Sequence, residues 1–395
     1  MKNKVIVILL IMGCSLISCA PQLKISKAYA EAGQQTDLML QNIPGAKKNN
    51  ADLVSPRTLQ GDELKLVSSH DWTSGFFPGI LWYLYDYTHQ DKWKEQAELY
   101  TALIEREKTN GTTHDMGFKI FCSFGNSLRL DPDEHAKEVI IESARTLCTR
   151  FSAVAGVLRS WDGNKDKWGF PVIIDNMMNL ELLFAATQLS GDSSFYKIAV
   201  THANTTLRNH FRPDNSSYHV LDYDTVTGHV IKKITAQGYA NESAWARGQS
   251  WGLYGFTICY RFTKDPRYLL QAEKIATFIL NNPNLPADMV PYWDFNAPQI
   301  PNEERDASAA AILASGLYEL CTYSKNGDEY KKKADRILAS LTKHYRSPIG
   351  ANKGFILMHS TGHKPAKSEI DVPLIYADYY YLEALLRKSR LRKGS

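Results

Sequence analysis

The sequence predicts an all-α protein, an α/α six-hairpin barrel in which about twelve helices form a double ring. Three observations predict it. Helix-period apolar patterns recur from about residue 28 to 388, while strand signals are weak and confined to loops such as His219 to Ile234. The helices come in pairs joined by tight turns, among them Ser190-Gly191-Asp192, Lys264-Asp265-Pro266 and Asn326-Gly327-Asp328. The connections between pairs are long and uneven. An open solenoid keeps a tighter period, whereas a closed ring can use such connections to build a pocket at one end.

The elements follow in order. The first helix spans about Ala28 to Leu40, and a loop containing Pro56 and Gly61 leads to Trp72–Gly79, which opens an apolar helix to Tyr87. Asp91-Lys92-Trp93 starts an amphipathic helix to about Glu107, and Gly117–Leu130 and Glu134–Phe151 flank Asp131-Pro132-Asp133. Helices Asn176–Leu189, Phe195–His210, Ser243–Phe262, Tyr268–Leu280, Asp306–Tyr323, Tyr330–His344 and Leu374–Lys388 complete the count. The second helix of four pairs opens with an aromatic and carries Ala four residues later: Trp93/Ala97, Phe195/Ala199, Tyr268/Ala272 and Tyr330/Ala334. That spacing puts both on one face, where the small Ala lets a neighbouring helix approach.

Residues 1–19 read as a targeting segment. Lys2 and Lys4 precede the apolar run Val5 to Met12, and Leu16-Ile17-Ser18-Cys19 looks like a lipobox with Cys19 as the lipidated residue, the alternative being an ordinary signal peptide cut after Ala20. The run is too short to span a membrane, so contact with one is expected only through an N-terminal lipid anchor, in a protein that is exported and faces the periplasm. Residues 20–395 are then expected to form a single α/α-barrel domain, with no composition shift to divide it. Cys122, Cys148, Cys259 and Cys321 lie in apolar helical stretches without metal or redox spacing and read as buried free thiols.

A net charge of +4 spread over 395 residues argues against a nucleic-acid surface. The 8 Trp and 21 Tyr, many beside Gly, Asp or His, suit a sugar-binding surface as well as a large core. No HExxH spacing or nucleophile elbow appears, and no metal or cofactor is expected. Asp222-Tyr223-Asp224 has a calcium look but too few ligands.

If tight turns lie at one end of the ring, the long connections lie at the other. They carry His70, Asp71, Trp72, His114, Asp115, Trp161, Trp168, Asp175, His219, Gln237, Trp245, Arg247, Trp293 and Asp294. Asp115 and Asp175 each precede a helix, so each reads first as an N-cap. Pointing into the ring's mouth they would instead pair, and a like charge raises one pKa. That matters because a capping carboxylate is otherwise held ionised and makes a poor acid. Trp245 and Trp251 could stack on sugars, or pack in the core; Arg247 could meet a substrate carboxylate or a neighbouring Asp.

The motifs Asp71–Gly79, His114-Asp115-Met116-Gly117-Phe118, Ile174–Asn179, Gln237-Gly238-Tyr239, Ser243–Gln249 and Asp378–Leu385 occur in this order. In them the chain resembles the unsaturated glucuronyl hydrolases of glycoside hydrolase family 88, from about Trp72 to Leu386. The resemblance implies the α/α barrel and an enzyme acting on oligosaccharides left by polysaccharide lyases. Such an enzyme releases the Δ4,5-unsaturated uronate from the non-reducing end by hydrating the C4=C5 double bond. By similarity Asp175 is the proton donor and Asp115 its partner. His114, His219, Gln237 and Arg247 would hold polar groups of the uronate, and Trp72, Trp161, Trp245 and Trp251 would form walls. Ala236 departs from the family's larger polar residue, and Gly354–Asp371 follows its pattern poorly. In that loop His359, His363, Lys364, Lys367 and Ser368 could meet the leaving sugar or stand in solvent. Glycosaminoglycan fragments lead as substrates. The alternatives are the related hydrolysis of unsaturated rhamnogalacturonyl units from pectin, and a glycan-binding lipoprotein without catalysis.

Overall fold

A computed structural model describes residues 23–163 and 166–393. The expected targeting segment, Cys19 included, lies outside the described residues. The chain opens with α1 (Ile25–Lys47), a hairpin of β1 (Leu53–Gln60) and β2 (Glu63–Ser68), and helices α2 (Phe76–Thr88) and α3 (Asp91–Ala102). A π-helix (Gly117–Gly125) runs into α4 (Asn126–Leu130), followed by α5 (Glu134–Cys148), β3 (Phe151–Ser152), β4 (Val157–Leu158) and β5 (Pro171–Ile173). Next come α6 (Asn176–Ser190), α7 (Ser193–Asn209), β6 (Val220–Tyr223), β7 (Val230–Ile234), α8 (Ala246–Thr263) and α9 (Pro266–Leu280). Helices α10 (Ala307–Leu320), α11 (Gly327–His344) and α12 (Ile375–Lys393) end the chain.

Two rings result. The inner one runs α2, the π-helix with α4, α6, α8, α10 and α12, each touching the next, and α12 closes on α2. Inner helices are apolar nearly all round, as a helix enclosed on every side must be; every residue of α10 is buried. Outer helices bury one stripe. In α9 it is Tyr268, Gln271, Ala272, Ile275, Ala276 and Ile279, the i, i+3, i+4 spacing of a single face. All four aromatic/Ala pairs of the outer helices are buried. Tight turns between partners are stabilised by Asp caps. Asp133, Asp192 and Asp265 accept backbone N–H groups of α5, α7 and α9.

Several expectations need correction. Leu53–Ser68, read as a loop, is a hairpin. Pro56 argues against a strand, but register shifts beside Ser55 and Pro56 absorb it, and Gly61 (φ 59°) makes the turn. The alternating Val54, Leu64 and Leu66 are buried in the core. Helix α1 is longer than expected and carries Pro44. Helix α3 stops at Ala102, with a 3-10 turn covering Glu105–Thr109. The first nine residues of the Gly117–Leu130 helix are wound as π-helix, a form concentrated at functional sites. Strands β5, β6 and β7 make a small antiparallel sheet where only weak strand signal stood. Cys122 and Cys259 are buried, but Cys148 and Cys321 are only partly so; all four are free.

The rings meet without space to spare. A Cβ on Gly79 of α2 would stand 2.3 Å from the Tyr379 ring and 2.7 Å from the Cys122 carbonyl oxygen. Gly79→Ala is therefore expected to lose about 1–3 kcal/mol by overpacking, although Ala is the better helix former. Gly45→Ala in α1, where nothing lies within 4 Å, is expected to gain up to about 1 kcal/mol. Thermal unfolding of both variants reads the two signs.

Candidate active site

Because a tight turn follows five of the six inner helices and α12, like them, follows a long connection, all six enter the ring from the same end. Contacts among their first turns show it. Arg247 in α8 bonds Asp306 at the start of α10 and lies over the ring of Tyr376 in α12, 5.4 Å from its centre. Tyr376 packs at 4.9 Å against Trp72, just before α2, and Trp72 packs at 5.6 Å against Phe118 of the π-helix. Asn179 of α6 accepts the Phe118 N–H, fixing the π-helix against α6. Six helix N-termini converge on one volume, and their partial positive charges favour an anion there.

Asp175 and Asp115 both face this volume. Asp175 is only 8% exposed, has helical backbone angles, and does not cap α6 with its side chain. The N-cap reading is thus corrected for Asp175: its Oδ2 is buried without a hydrogen-bond partner. Burial pushes its carboxyl up to about 7, against the pull of Arg247. Asp115 is 9% exposed and accepts a hydrogen bond from the Thr113 hydroxyl at 2.8 Å.

Two histidines flank the pair. His219 Nδ1 accepts the N–H groups of Ala236 and Gln237, each at 3.1 Å, so the neutral ring carries its hydrogen on Nε2. That Nε2 stands 3.9 Å from Asp175 Oδ2, and neither atom has another partner. Burial holds His219 well below its ordinary pKa. His114 is buried beside Asp115, its Nε2 3.3 Å from Oδ1 and also without a hydrogen-bond partner.

The remaining sequence-predicted residues divide. Trp72 and Trp161 are half-buried; Trp161 packs on Trp168 at 5.5 Å and on the His219 ring at 6.2 Å. Trp245 is buried behind His219, with ring centres 4.5 Å apart. Trp251 is fully buried between Phe118 and Tyr380, a floor and not an open wall. Arg247 directs its guanidinium to Asp306 at 2.7 Å and to the carbonyl oxygens of Thr361 and Gly362, each at 2.6 Å. The ion pair to a neighbouring Asp, one of its two sequence readings, is the one formed. Gln237 Nε2 also donates to Gly362 O, so both residues anchor the segment 359–372. His363 and Lys364 are anchored as well, on Ala236 O and on Glu303 and Glu304, while Lys367 and Ser368 are exposed.

Other candidates serve the scaffold. Asp71 pairs with Arg57 and His70 stands exposed beside Glu107. Trp293 donates to Glu303, and Asp294 accepts from Tyr239, Ser243 and Asn296. Asp222 accepts the Gly169 and Phe170 N–H groups just before β5, and Asp224 accepts the Val226 N–H of its own turn. Sequence reasoning missed Asn176 and Asn179. Both are fully buried polar residues on the first turn of α6, directly after Asp175, and that placement was the signal available.

A family model described as Glycosyl Hydrolase Family 88 matches residues 48–386. A protein of Formosa agariphila named unsaturated glucuronyl hydrolase is 54% identical over 327 residues, covering 82% of this chain and 82% of that protein. The unsaturated chondroitin disaccharide hydrolase of Streptococcus pneumoniae is 32% identical, covering 90% and 91%. The crystal structure of an unsaturated glucuronyl hydrolase specific for heparin matches with a TM-score of 0.88 and 42% identity, over 94% of this chain and 99% of that one.

The perturbed carboxyl ties stability to pH. Below about pH 4 folded and unfolded chains both hold the Asp175 proton; as pH rises through 7 the folded state must bury a charge and loses that stability. Asp175→Asn is expected to be the more stable protein above pH 7, by up to about 4 kcal/mol, with the difference vanishing toward pH 4. Thermal unfolding of both proteins across this range measures it, and equal pH slopes would contradict a raised Asp175.

Proposed function

The chain belongs to glycosyl hydrolase family 88, and from that premise we propose how its site works. The activity is that of an unsaturated glucuronyl hydrolase acting on unsaturated oligosaccharides derived from glycosaminoglycans. Asp175 is the acid. One observation carries this reading: a buried carboxyl with an unpartnered Oδ2, pushed up to about 7, holds a proton at neutral pH and has nothing else to give it to.

The substrate's unsaturated uronate brings its own carboxylate, which suits the converging helix N-termini. Asp175 delivers its proton to C4 of the vinyl ether. Positive charge then develops at C5 and the ring oxygen, where Asp115 faces it. Water adds to C5 and returns a proton to Asp175, restoring the acid, and the hemiketal so formed opens and releases the sugar. His219, neutral with its hydrogen on Nε2, offers a donor to the water or to a substrate oxygen beside Asp175. Trp72 and Trp161, at the half-buried rim, are placed to face the sugars, and segment 359–372 forms the wall nearest Gln237. Chondroitin and heparin disaccharides are the first substrates to try, since relatives that act on each are similar along most of the chain.

We also propose that Cys19 is lipidated and anchors the protein to a membrane facing the periplasm. The basic Lys2 and Lys4, the apolar Val5–Met12 and the lipobox Leu16–Cys19 support this. Cys19→Ala is expected to move the protein from the membrane to the soluble fraction; an unchanged distribution would refute the anchor.

The chemistry is tested by incubating the protein with lyase-generated disaccharides of chondroitin, hyaluronan, heparin and pectin and following ultraviolet absorbance. Loss of absorbance on a glycosaminoglycan product is expected, and Asp175→Asn should abolish it while the fold persists. The rate should fall as pH rises through about 7, where Asp175 loses its proton. In heavy water the product should carry deuterium at C4, and a product without it would exclude the hydration route.

A further inference from the structure

His114 and Asn176 lie against Asp115, and their hydrogen bonds determine where one more proton must be. The Asn176 side chain is fully buried. Its Nδ2 donates to Leu158 O at 2.8 Å and to Ser160 Oγ at 3.2 Å. A backbone carbonyl can only accept, so the amide cannot be turned round, and Oδ1 faces His114. An amide oxygen also only accepts, so the short contact between His114 Nδ1 and Asn176 Oδ1 requires a hydrogen on Nδ1. A neutral imidazole with its hydrogen on Nδ1 has a bare lone pair on Nε2. That Nε2 is the buried atom 3.3 Å from Asp115 Oδ1. An ionised Asp115 would press a second lone pair against it. One proton between the two atoms converts this opposition into a hydrogen bond.

We propose that His114 and Asp115 share a proton placed by Asn176, and that this neutral dyad, not an ionised Asp115, meets the incoming substrate. The proposal rests on the hydrolase reading above and adds a charge balance to it. Two ionised aspartates would repel a uronate. With Asp175 protonated and the dyad holding one proton, the three groups carry no net charge. The neighbouring cations are already matched: Arg150 with Asp162, Lys119 with Glu107, and Arg247 with Asp306. Burial holds His202 and His219 below the ordinary imidazole pKa, so they add no charge at neutral pH. Burial likewise holds His114 down, in keeping with a neutral imidazole whose own hydrogen is on Nδ1, toward Asn176.

The arrangement gives the dyad a response to the reaction. As positive charge grows at C5, the proton moves from Asp115 Oδ1 to His114 Nε2: one O–H bond breaks and one N–H bond forms. Asp115 becomes a full carboxylate opposite the cation, and His114 an imidazolium held by Asn176 Oδ1. When water has added, the proton returns, and nothing outside the dyad is consumed. Asn176 touches no substrate in this scheme; it is a positioning residue that sets the histidine tautomer.

The resting enzyme provides the first test, independent of turnover. In nitrogen NMR of the full chain labelled with 15N-histidine, with the His114 signals identified by their loss in His114→Gln, Nδ1 should be protonated at neutral pH. Nε2 should show the intermediate shift of a shared proton. A protonated Nε2 with a bare Nδ1 would overturn the proposal and leave the hydrolase reading standing. The second test is Asn176→Ala, which frees the histidine to turn its hydrogen toward Asp115 and so leaves Asp115 ionised. Its KM for the unsaturated disaccharide should rise about tenfold, the effect of one charge interaction worth one pKa unit, and its alkaline limb should move up. The KM of the uncharged methyl ester should barely change. Equal changes for acid and ester, with the pH profile unmoved, would mean that Asn176 is merely structural and would overturn the dyad.

Discussion

The chemistry of this fold depends on keeping one carboxylate dry. Six inner helices direct their N-termini at the same volume, and that field on its own favours anions and opposes a protonated acid. Desolvation prevails at Asp175 because its side chain receives no hydrogen bond from the helix that it precedes. Asp192 makes the contrast. At the head of α7 it accepts the Ser194 N–H, stands in solvent, and is held below the usual carboxylate range by those hydrogen bonds. The same residue type at the head of a helix is an ionised cap in one case and an acid in the other. The difference lies in whether N–H groups and water reach the oxygens.

That difference explains how far the sequence could be read. Ring closure was legible because helices paired by tight turns are joined by long, uneven connections, which an open solenoid does not need. Asp115 and Asp175 were legible as a pair because their motifs precede successive inner helices. The side-chain orientation of Asp175 was not legible, since backbone angles at a helix start decide it and Asp fits both outcomes. Arg247 was seen as a residue of consequence, but only the folded chain brings Asp306 and Gly362, far along the sequence, to its guanidinium. The β1–β2 hairpin was hidden by Pro56, whose cost the register shifts absorb. Histidine tautomers could not be read at all, because they are set by carbonyls and amides of other segments.

The segment 359–372 shows how binding and chemistry are kept apart. Arg247, Gln237 and His363 fasten it to the wall beside His219, and Arg57 joins Glu369 to Asp71 from the β1–β2 side. The buried ends are therefore coupled to the groups around Asp175, while Pro365–Ser368 stand in solvent. Exposed residues at such a tip can differ without disturbing the anchors.

The seam of the ring lies between the two ends of the chain. Tyr29 of α1 donates to Leu382 O of α12, and Gln35 donates to Ala351 O and Phe355 O, across more than three hundred residues in each case. No partial product of synthesis can make these contacts. Until the last helix has emerged, the inner ring lacks one wall and its apolar faces stay uncovered. A ring that closes only with its last helix becomes compact after synthesis and not along with it, and its apolar faces need shielding until then.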